Sequence, residues 1–332
     1  MTKHIRTPKV AVVVGASSGI GRATALRFAR QGCRVVLASR GEEALAEVKR
    51  EIEQIGAEAL VVPTDVTKWK QVRHLAEAAV ERFGGIDIWV NDAGVSVFAP
   101  FLEMPLDDFR RVIDVDLLGV VYGSRAALEV MTRQGSGTLI NVSSIVGELP
   151  QPYTAPYGMA KAAVRALGVS LRSELALQKR RRIHVCTVMP STIDTPFFGH
   201  AGNYSGSRVI AMPPVYAPER VARSITALVS HPHAEVMIGP AGAFMARSHR
   251  MLPRLFDAQM ALQTEASQLS PTESADDTTG ILYEPIAAGD AAVEGGWNGS
   301  GRTRRRRLAF WGLLAGGVVA VVRFGVLKPR AS

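Results

Sequence analysis

A buried strand, a glycine-rich turn and a helix follow one another at the start of this chain. Residues 10–14 form an uninterrupted apolar run, which is typical of a parallel strand covered on both faces. A glycine-rich run follows, and residues 22–30 then show helical spacing. Because a helix N-terminus presents free amide groups and a positive dipole end, the turn is predicted to hold a pyrophosphate. Its candidate binding residues, for which a simple tight turn is the alternative, are Gly15, Ser17, Ser18, Gly19, Ile20 and Gly21.

Strand-like and helix-like segments alternate along the rest of the first 240 residues. Further strands are predicted at 34–38, 59–62, 86–90, 138–142, 183–189 and 236–239. Helices are predicted at 42–55, 68–83, 106–133, 156–179 and 218–230. This order predicts an α/β fold with a doubly wound parallel sheet of the Rossmann type and about seven strands. Ligands are expected at the carboxyl ends of the strands.

Candidate cofactor-binding residues follow the second predicted strand. Ser39 and Arg40 lie where such folds recognise the adenosine ribose. An acidic side chain there would bind the 2′-hydroxyl group of NAD, whereas a guanidinium group pairs with a 2′-phosphate group. Arg40 therefore predicts NADP(H), and a solvated Arg40 in the first helical turn is the alternative.

Further candidates follow the third and fourth strands. Asp65, which precedes Val66, is predicted to accept a hydrogen bond from the adenine amino group, although a helix N-cap is an equal alternative. Asn91, Ala93 and Gly94 follow the fourth strand, and the small residues let a ribose approach.

A tyrosine and a lysine lie four residues apart in the helix predicted at 156–179. Tyr157 and Lys161 share one helical face, so the ammonium group is expected to favour the ionised phenol, whose unperturbed pKa is about 10. Ser144 lies upstream. Ordinary helix surface is the alternative for the tyrosine and lysine taken alone.

These motifs, in this order, resemble those of the short-chain dehydrogenase/reductase family over about residues 8–245. Residues 14–21 resemble T-G-x-x-x-G-x-G, and residues 91–94 resemble N-N-A-G with Asp92 in the second position. Pro190 and Thr195 fall where the family holds the nicotinamide amide, although Ser191 replaces a glycine. Ser144, Tyr157 and Lys161 match the catalytic serine, tyrosine and lysine.

The resemblance implies NADP-dependent hydride transfer between nicotinamide and a carbonyl or alcohol carbon. Tyr157 would act as general acid or base, Ser144 would polarise the substrate oxygen, and Lys161 would bind the nicotinamide ribose. The family's fourth catalytic residue is an asparagine, and Asp116 stands in its place. An ionised Asp116 only accepts hydrogen bonds, so altered but retained activity is expected. A nucleotide-binding protein with impaired catalysis is the alternative.

Charge and composition limit the remaining partners. The net charge of +9 comes mainly from basic residues after position 301, which argues against a nucleic-acid partner. Cys33 and Cys186 fall in apolar runs and indicate neither a disulfide nor a metal site, and no metal is expected near the histidines. The apolar residues of the segment 192–216 predict a mobile cover over an apolar substrate; packing on the sheet or on a second subunit is the alternative. The family resemblance also suggests a homo-oligomer.

The last part of the chain differs in character. An oxidoreductase domain is predicted over residues 1–266, followed by a flexible polar linker at 267–303. Residues 304–328 combine an arginine run with a mostly apolar stretch, which predicts a membrane-anchor helix with the catalytic domain on the cytoplasmic side. A buried helix is the alternative. A membrane-attached NADP-binding scaffold or sensor therefore stands beside the enzyme hypothesis.

Overall fold

A seven-stranded parallel sheet forms the centre of the molecule in the computed structural model, which describes residues 8–297. Its strands are β1 Val10–Val14, β2 Arg34–Ala38, β3 Ala59–Val61, β4 Ile88–Asn91, β5 Gly137–Val142, β6 Ile183–Pro190 and β7 Glu235–Ile238. Their order in the sheet is β3-β2-β1-β4-β5-β6-β7, and neighbouring strands are parallel. The predicted doubly wound α/β fold is thus confirmed. The chain reverses its direction of winding between β1 and β4, which is where such folds open a binding crevice.

The longer helices of the described chain are α1 Gly19–Arg30, α2 Glu42–Gln54, α3 Trp69–Phe83, α4 Leu106–Ile113, α5 Gly119–Gln134, α6 Ala155–Leu177, α7 Pro218–Ala227, α8 Pro240–Met251 and α9 Pro253–Ser267. A π-helical turn, Asp114–Leu118, separates α4 from α5, so the single long helix predicted at 106–133 is interrupted. Asp116 lies in this turn, and its Oδ1 atom accepts a hydrogen bond of 2.7 Å from the amide of Val95. Such turns often occur at functional sites.

Both faces of the sheet are buried, and successive side chains of each strand belong to opposite faces. Val12, Val14 and Trp89 belong to the core on one face, and Val13 and Val90 belong to the core on the other. Two apolar layers thus fix the carboxyl ends of β1 and β4.

Residues 269–297 pack against the domain and differ from the flexible linker predicted there. Leu269–Ser274 forms a short strand that pairs with Ser207–Val209, and Thr278 bridges to Asn203. The side chain of Leu282 is completely buried. Backbone pairing and this apolar contact hold a segment that is otherwise polar in composition. Residues 298–303 and the candidate membrane helix at 304–328 lie outside the described residues. Within residues 8–297, no helix has the length and apolar character required to cross a membrane.

Candidate active site

The turn after β1 packs closely against the end of β4. Gly15 has a φ angle of +92°, and a Cβ atom there would lie 2.6 Å from the amide nitrogen of Ala93. A Cβ atom on Gly21 would lie 2.1 Å from the carbonyl oxygen of Gly15. Larger side chains at either position would push the turn away from the sheet. The two glycines thus let the N-terminus of α1 approach the crevice, as a dinucleotide site requires.

A groove along this edge of the sheet brings together most of the predicted cofactor-binding residues. Those that line it are Gly15, Ser17, Ser18, Gly19, Ile20, Ser39, Arg40, Asp65, Val66, Ala93, Gly94, Tyr157, Lys161, Pro190 and Thr195. The buried hydroxyl oxygen of Ser39 has no hydrogen-bond partner among the described residues. An unsatisfied buried hydroxyl group at the adenosine end fits a ribose or phosphate partner. The residues present therefore fit a dinucleotide.

Asn91 is the predicted cofactor-binding residue whose position differs most from expectation. Its side chain is 2% exposed and lies in a hydrogen-bond network below the groove. The Oδ1 atom accepts from the indole Nε1 of Trp89 at 2.7 Å, and Nδ2 donates to Asn141 at 2.8 Å. Asn91 thus joins β4 to β5. Gly21 likewise contributes to close packing and does not line the groove.

Ser144, Tyr157 and Lys161 converge at the other end of the groove. Ser144 follows β5 and accepts from the amide of Val146 at 3.2 Å, which fixes its side chain. The first turn of α6 carries Tyr157, whose phenol lies close enough to the hydroxyl group of Ser144 for that group to lower its pKa. One helical turn later, Lys161 lies with its Nζ atom 5.4 Å from the centre of the tyrosine ring. The sequence-predicted serine, tyrosine and lysine form one cluster.

Asp116 makes a direct ion pair with Lys161. The Nζ atom of Lys161 lies 3.0 Å from Oδ2 of Asp116, and the two side chains are 4% and 0% exposed. Nζ also donates to the carbonyl oxygen of Val142 at 3.3 Å. Burial lowers the pKa of Lys161, but the neighbouring Asp116 carboxylate outweighs it, so the net pKa is raised and the ammonium group stays charged.

Comparison with known proteins identifies the family. A family model described as short chain dehydrogenase matches residues 9–203. The chain belongs to this family. An uncharacterized oxidoreductase of Bacillus subtilis (strain 168), YxnA, is 35% identical over 292 residues, which are 87% of this chain and 82% of the relative. A protein of Eggerthella lenta named 3beta-hydroxysteroid dehydrogenase 1 is 39% identical over 229 residues, which are 67% of this chain and 87% of the relative.

Solved structures of short-chain dehydrogenases show the same fold with two different cofactors. A Burkholderia phymatum short chain dehydrogenase/reductase in complex with NAD has a TM-score of 0.69 at 27% identity, covering 75% of this chain and 95% of that one. An alcohol dehydrogenase from the archaeon Thermococcus sibiricus, complexed with 5-hydroxy-NADP, has a TM-score of 0.61 at 30% identity, covering 69% and 95%. The protein is therefore a short-chain dehydrogenase-family oxidoreductase whose fold binds NAD or NADP.

The phenol of this dehydrogenase is less acidic than the tyrosine–lysine spacing predicts. Burial raises the pKa of Tyr157, Lys161 lowers it, and Asp116 raises it again, so the net pKa lies above the usual value. The prediction considered only the lysine, whereas the structure adds the desolvation of the ring and a carboxylate beside the lysine. At neutral pH Tyr157 is therefore protonated.

Asp92 is a functional candidate that the sequence analysis did not select. It lines the groove, and its carboxyl group lies next to the backbone of Gly21. Burial raises the pKa of Asp92 to about 8, although Lys161 lowers it. The available signal was its place in the N-N-A-G-like motif, where a neutral side chain is usual.

Replacing Asp92 by asparagine is expected to stabilise the protein more at pH 8 than at pH 5. A raised folded-state pKa contributes stability that is complete below about pH 4 and is lost as the pH rises toward 8. Asparagine keeps an acceptor near Gly21 without the charge, so the gain at pH 8 should exceed the gain at pH 5 by a few kcal/mol, because about 1.4 kcal/mol is lost for each pH unit between the unfolded and folded pKa values. Urea unfolding at both pH values measures it, with Asp276→Asn on the surface as control. An equal gain at the two pH values would contradict the raised pKa.

Apolar side chains form the wall next to Tyr157. The ring of Phe197 lies 5.5 Å from that of Tyr157, and Phe198 lies 5.3 Å beyond Phe197. Leu149 and Met212 line the same cavity. Other parts of the predicted cover pack on the domain itself: the hydroxyl group of Tyr204 donates to Asp108 at 2.5 Å, and Val209 lies in a paired strand. The segment 192–216 therefore contains cavity-lining residues and anchoring residues. Within residues 8–297, no cluster of side chains suits a metal ion.

Proposed function

We propose that the protein is an NADP-dependent oxidoreductase that transfers hydride between nicotinamide and the carbonyl or alcohol carbon of an apolar substrate. The cluster of Ser144, Tyr157 and Lys161 carries this proposal, because it lies where the cofactor groove meets the apolar wall. The arrangement supplies a proton donor, an oxygen-binding hydroxyl group and a fixed positive charge at one point. The scaffold alternative requires none of these groups to be held together.

Each residue of the cluster has a distinct role in the proposal. The cofactor, when bound, supplies or accepts the hydride. Tyr157 donates its proton to the carbonyl oxygen during reduction, and Ser144 holds that oxygen by a hydrogen bond. Lys161, kept charged by Asp116, stabilises the phenolate that Tyr157 becomes when it has donated its proton. Because the pKa of Tyr157 is raised by burial, the phenol holds its proton at neutral pH and can donate it to a carbonyl oxygen.

The residues after β2 support NADP as the cofactor. Arg40 lines the adenosine end of the groove, where an acidic residue would favour the 2′-hydroxyl group of NAD. Its guanidinium group suits a 2′-phosphate group. Relatives of known structure carry either cofactor, so the preference depends on this local chemistry.

The substrate cavity supports an alicyclic or lipid-like carbonyl compound. Phe197, Phe198 and Met212 offer apolar contacts next to the phenol. The Eggerthella lenta relative is named a 3beta-hydroxysteroid dehydrogenase, which agrees with a rigid apolar substrate for this chain. Homo-oligomer formation and membrane attachment through residues 304–328, with a cytoplasmic catalytic domain, stay predictions.

A cofactor-dependent reductase assay tests the proposal. The purified full chain is expected to oxidise NADPH faster than NADH with cyclic ketones, and to act slowly or not at all on small polar ketones. Absorbance of the reduced nicotinamide at neutral pH measures the rate, and product formation by mass spectrometry confirms hydride transfer. Binding of both cofactors without turnover on any carbonyl or alcohol of a broad panel would favour the scaffold alternative.

A further inference from the structure

The C-terminal part of the described chain lies across the mouth of the cofactor groove. Ile281, Pro285 and Ile286 line the groove. Farther along, the amide of Gly19 donates to the carbonyl oxygen of Ala292 at 2.9 Å. The indole Nε1 of Trp297 donates to the carbonyl oxygen of Thr195 at 3.1 Å. We call residues 281–297 the covering segment.

Arg40 holds the covering segment through main-chain carbonyl groups. Its Nη1 atom donates to the carbonyl oxygens of Leu282 and Tyr283 at 3.0 and 2.8 Å. Its Nη2 atom donates to those of Ile281 and Glu284 at 2.6 and 3.0 Å. A guanidinium group has five N–H donors, so these four bonds use most of its capacity. A 2′-phosphate group can bind Arg40 fully only by replacing some of these carbonyl groups.

Arg111 on α4 reaches the same position. Its Nε atom donates to the carbonyl oxygen of Leu282 at 2.8 Å, so one oxygen atom receives bonds from two guanidinium groups. The Nη1 atom of Arg111 donates to Thr67 at 3.1 Å, and its guanidinium group lies 5.8 Å from the ring centre of Tyr283. These contacts place the guanidinium groups of Arg111 and Arg40 around the same carbonyl group.

Two guanidinium groups lie close together at this position. Burial and the positive charge of Arg111 lower the pKa of Arg40, whereas the charges of Asp65 and Glu284 raise it. Asp65 lies 3.6 Å from Arg111 but already accepts from the amide and the hydroxyl group of Thr67 at 3.0 and 2.8 Å. The carbonyl groups carry only partial charge, whereas a phosphate monoester carries about −1.5 to −2 at pH 7. A phosphate group is therefore the stronger partner for two guanidinium groups.

We propose that Arg40 and Arg111 together bind the 2′-phosphate group of the cofactor, and that the carbonyl groups of residues 281–284 occupy both arginines until the phosphate displaces them. This inference rests on the proposed function, because it requires a dinucleotide in the groove. Displacement of residues 281–284 would also affect the segment 192–216, which lines the substrate cavity. The hydroxyl group of Tyr283 donates to Asp108 at 2.7 Å, and Asp108 also accepts at 2.5 Å from Tyr204, which belongs to the segment 192–216.

Binding of two small probes to the full chain tests the role of Arg111. The wild type is expected to bind adenosine 2′,5′-bisphosphate at least tenfold more tightly than AMP. Arg111→Gln should weaken bisphosphate binding by about tenfold to a hundredfold, since charge-assisted hydrogen bonds are lost, and leave AMP binding unchanged. Arg110→Gln is the matched control, because Arg110 is its exposed neighbour on α4. Isothermal titration calorimetry measures all affinities.

Amide hydrogen exchange of the wild type tests the displacement without any variant. The amides of Ile281 and Leu282 donate to the carbonyl oxygens of His200 and Thr279, so their exchange reports on opening of the segment. The bisphosphate should accelerate exchange there, and AMP should not. Unchanged exchange at saturation, or equal bisphosphate affinity of Arg111→Gln and wild type, would overturn the inference. If the protein bound and used NADH as well as NADPH, this inference would be wrong but the proposed oxidoreductase function would stand. Failure to bind either dinucleotide would contradict the proposed function as well.

Discussion

Replacing Tyr157 by phenylalanine is expected to lower kcat by about two to four orders of magnitude, the usual contribution of a general acid. The substitution removes one oxygen atom and keeps the ring that packs against Phe197. Affinity for NADPH should therefore be nearly unchanged. Stopped-flow turnover and fluorescence titration of NADPH measure the two quantities on the same preparation.

Tyr122→Phe provides the control for this experiment. Tyr122 packs against Trp69 on α3, with ring centres 5.8 Å apart, and lies outside the groove residues. It loses the same atom and should keep full activity. Turnover of Tyr157→Phe at the wild-type rate would remove the proton-transfer role assigned to this phenol and, with it, the proposed mechanism.

Lys161→Met is expected to destabilise the protein by about 3–5 kcal/mol, because it leaves the carboxylate of Asp116 buried without its cation. The variant Asp116→Asn should also lose stability, because it leaves the buried ammonium group of Lys161 without its carboxylate, although the amide oxygen can still accept from Val95. The double variant should therefore be more stable than Lys161→Met. Urea unfolding of all four proteins at pH 7 completes a double-mutant cycle.

The pH dependence of these variants separates the ion pair from simple packing. An unpaired buried carboxylate takes up a proton at higher pH than usual, so Lys161→Met should lose less stability at pH 5 than at pH 8. Packing defects would give the same loss at both values. If the double variant were as unstable as Lys161→Met, Asp116 would not be the partner whose charge matters.

The sequence was sufficient where a local pattern determines the structure. The apolar run at 10–14 and the glycines after it predict a strand and a close turn because both depend on neighbouring residues. The spacing of Tyr157 and Lys161 likewise places both on one face of α6. The cluster with Ser144 then follows from the parallel order of the strands and from the family resemblance.

The sequence was insufficient where distant residues decide the outcome. The sequence predicted that Asn91 binds the cofactor, but its side chain forms hydrogen bonds with Trp89 and Asn141 within the sheet. The net acidity of Tyr157 depends on Asp116, which the π-helical turn directs toward Lys161. Polar composition suggested a free linker, yet the carbonyl groups of this segment find donors on Arg40 and Arg111. Such pairings leave no periodic signal.

The hydrogen bonds from Arg40 to residues 281–284 involve only main-chain carbonyl oxygens, which every amino acid possesses. The contact with Arg40 is consequently independent of the side chains there, which are constrained only by other contacts, such as the burial of Leu282 and the hydrogen bond from Tyr283 to Asp108. Alanine scanning of this stretch would leave the acceptors in place, and sequence alignment would overlook them. Among sequence changes in this stretch, an inserted or deleted residue, which alters the path of the backbone, would be needed to remove these acceptors from Arg40.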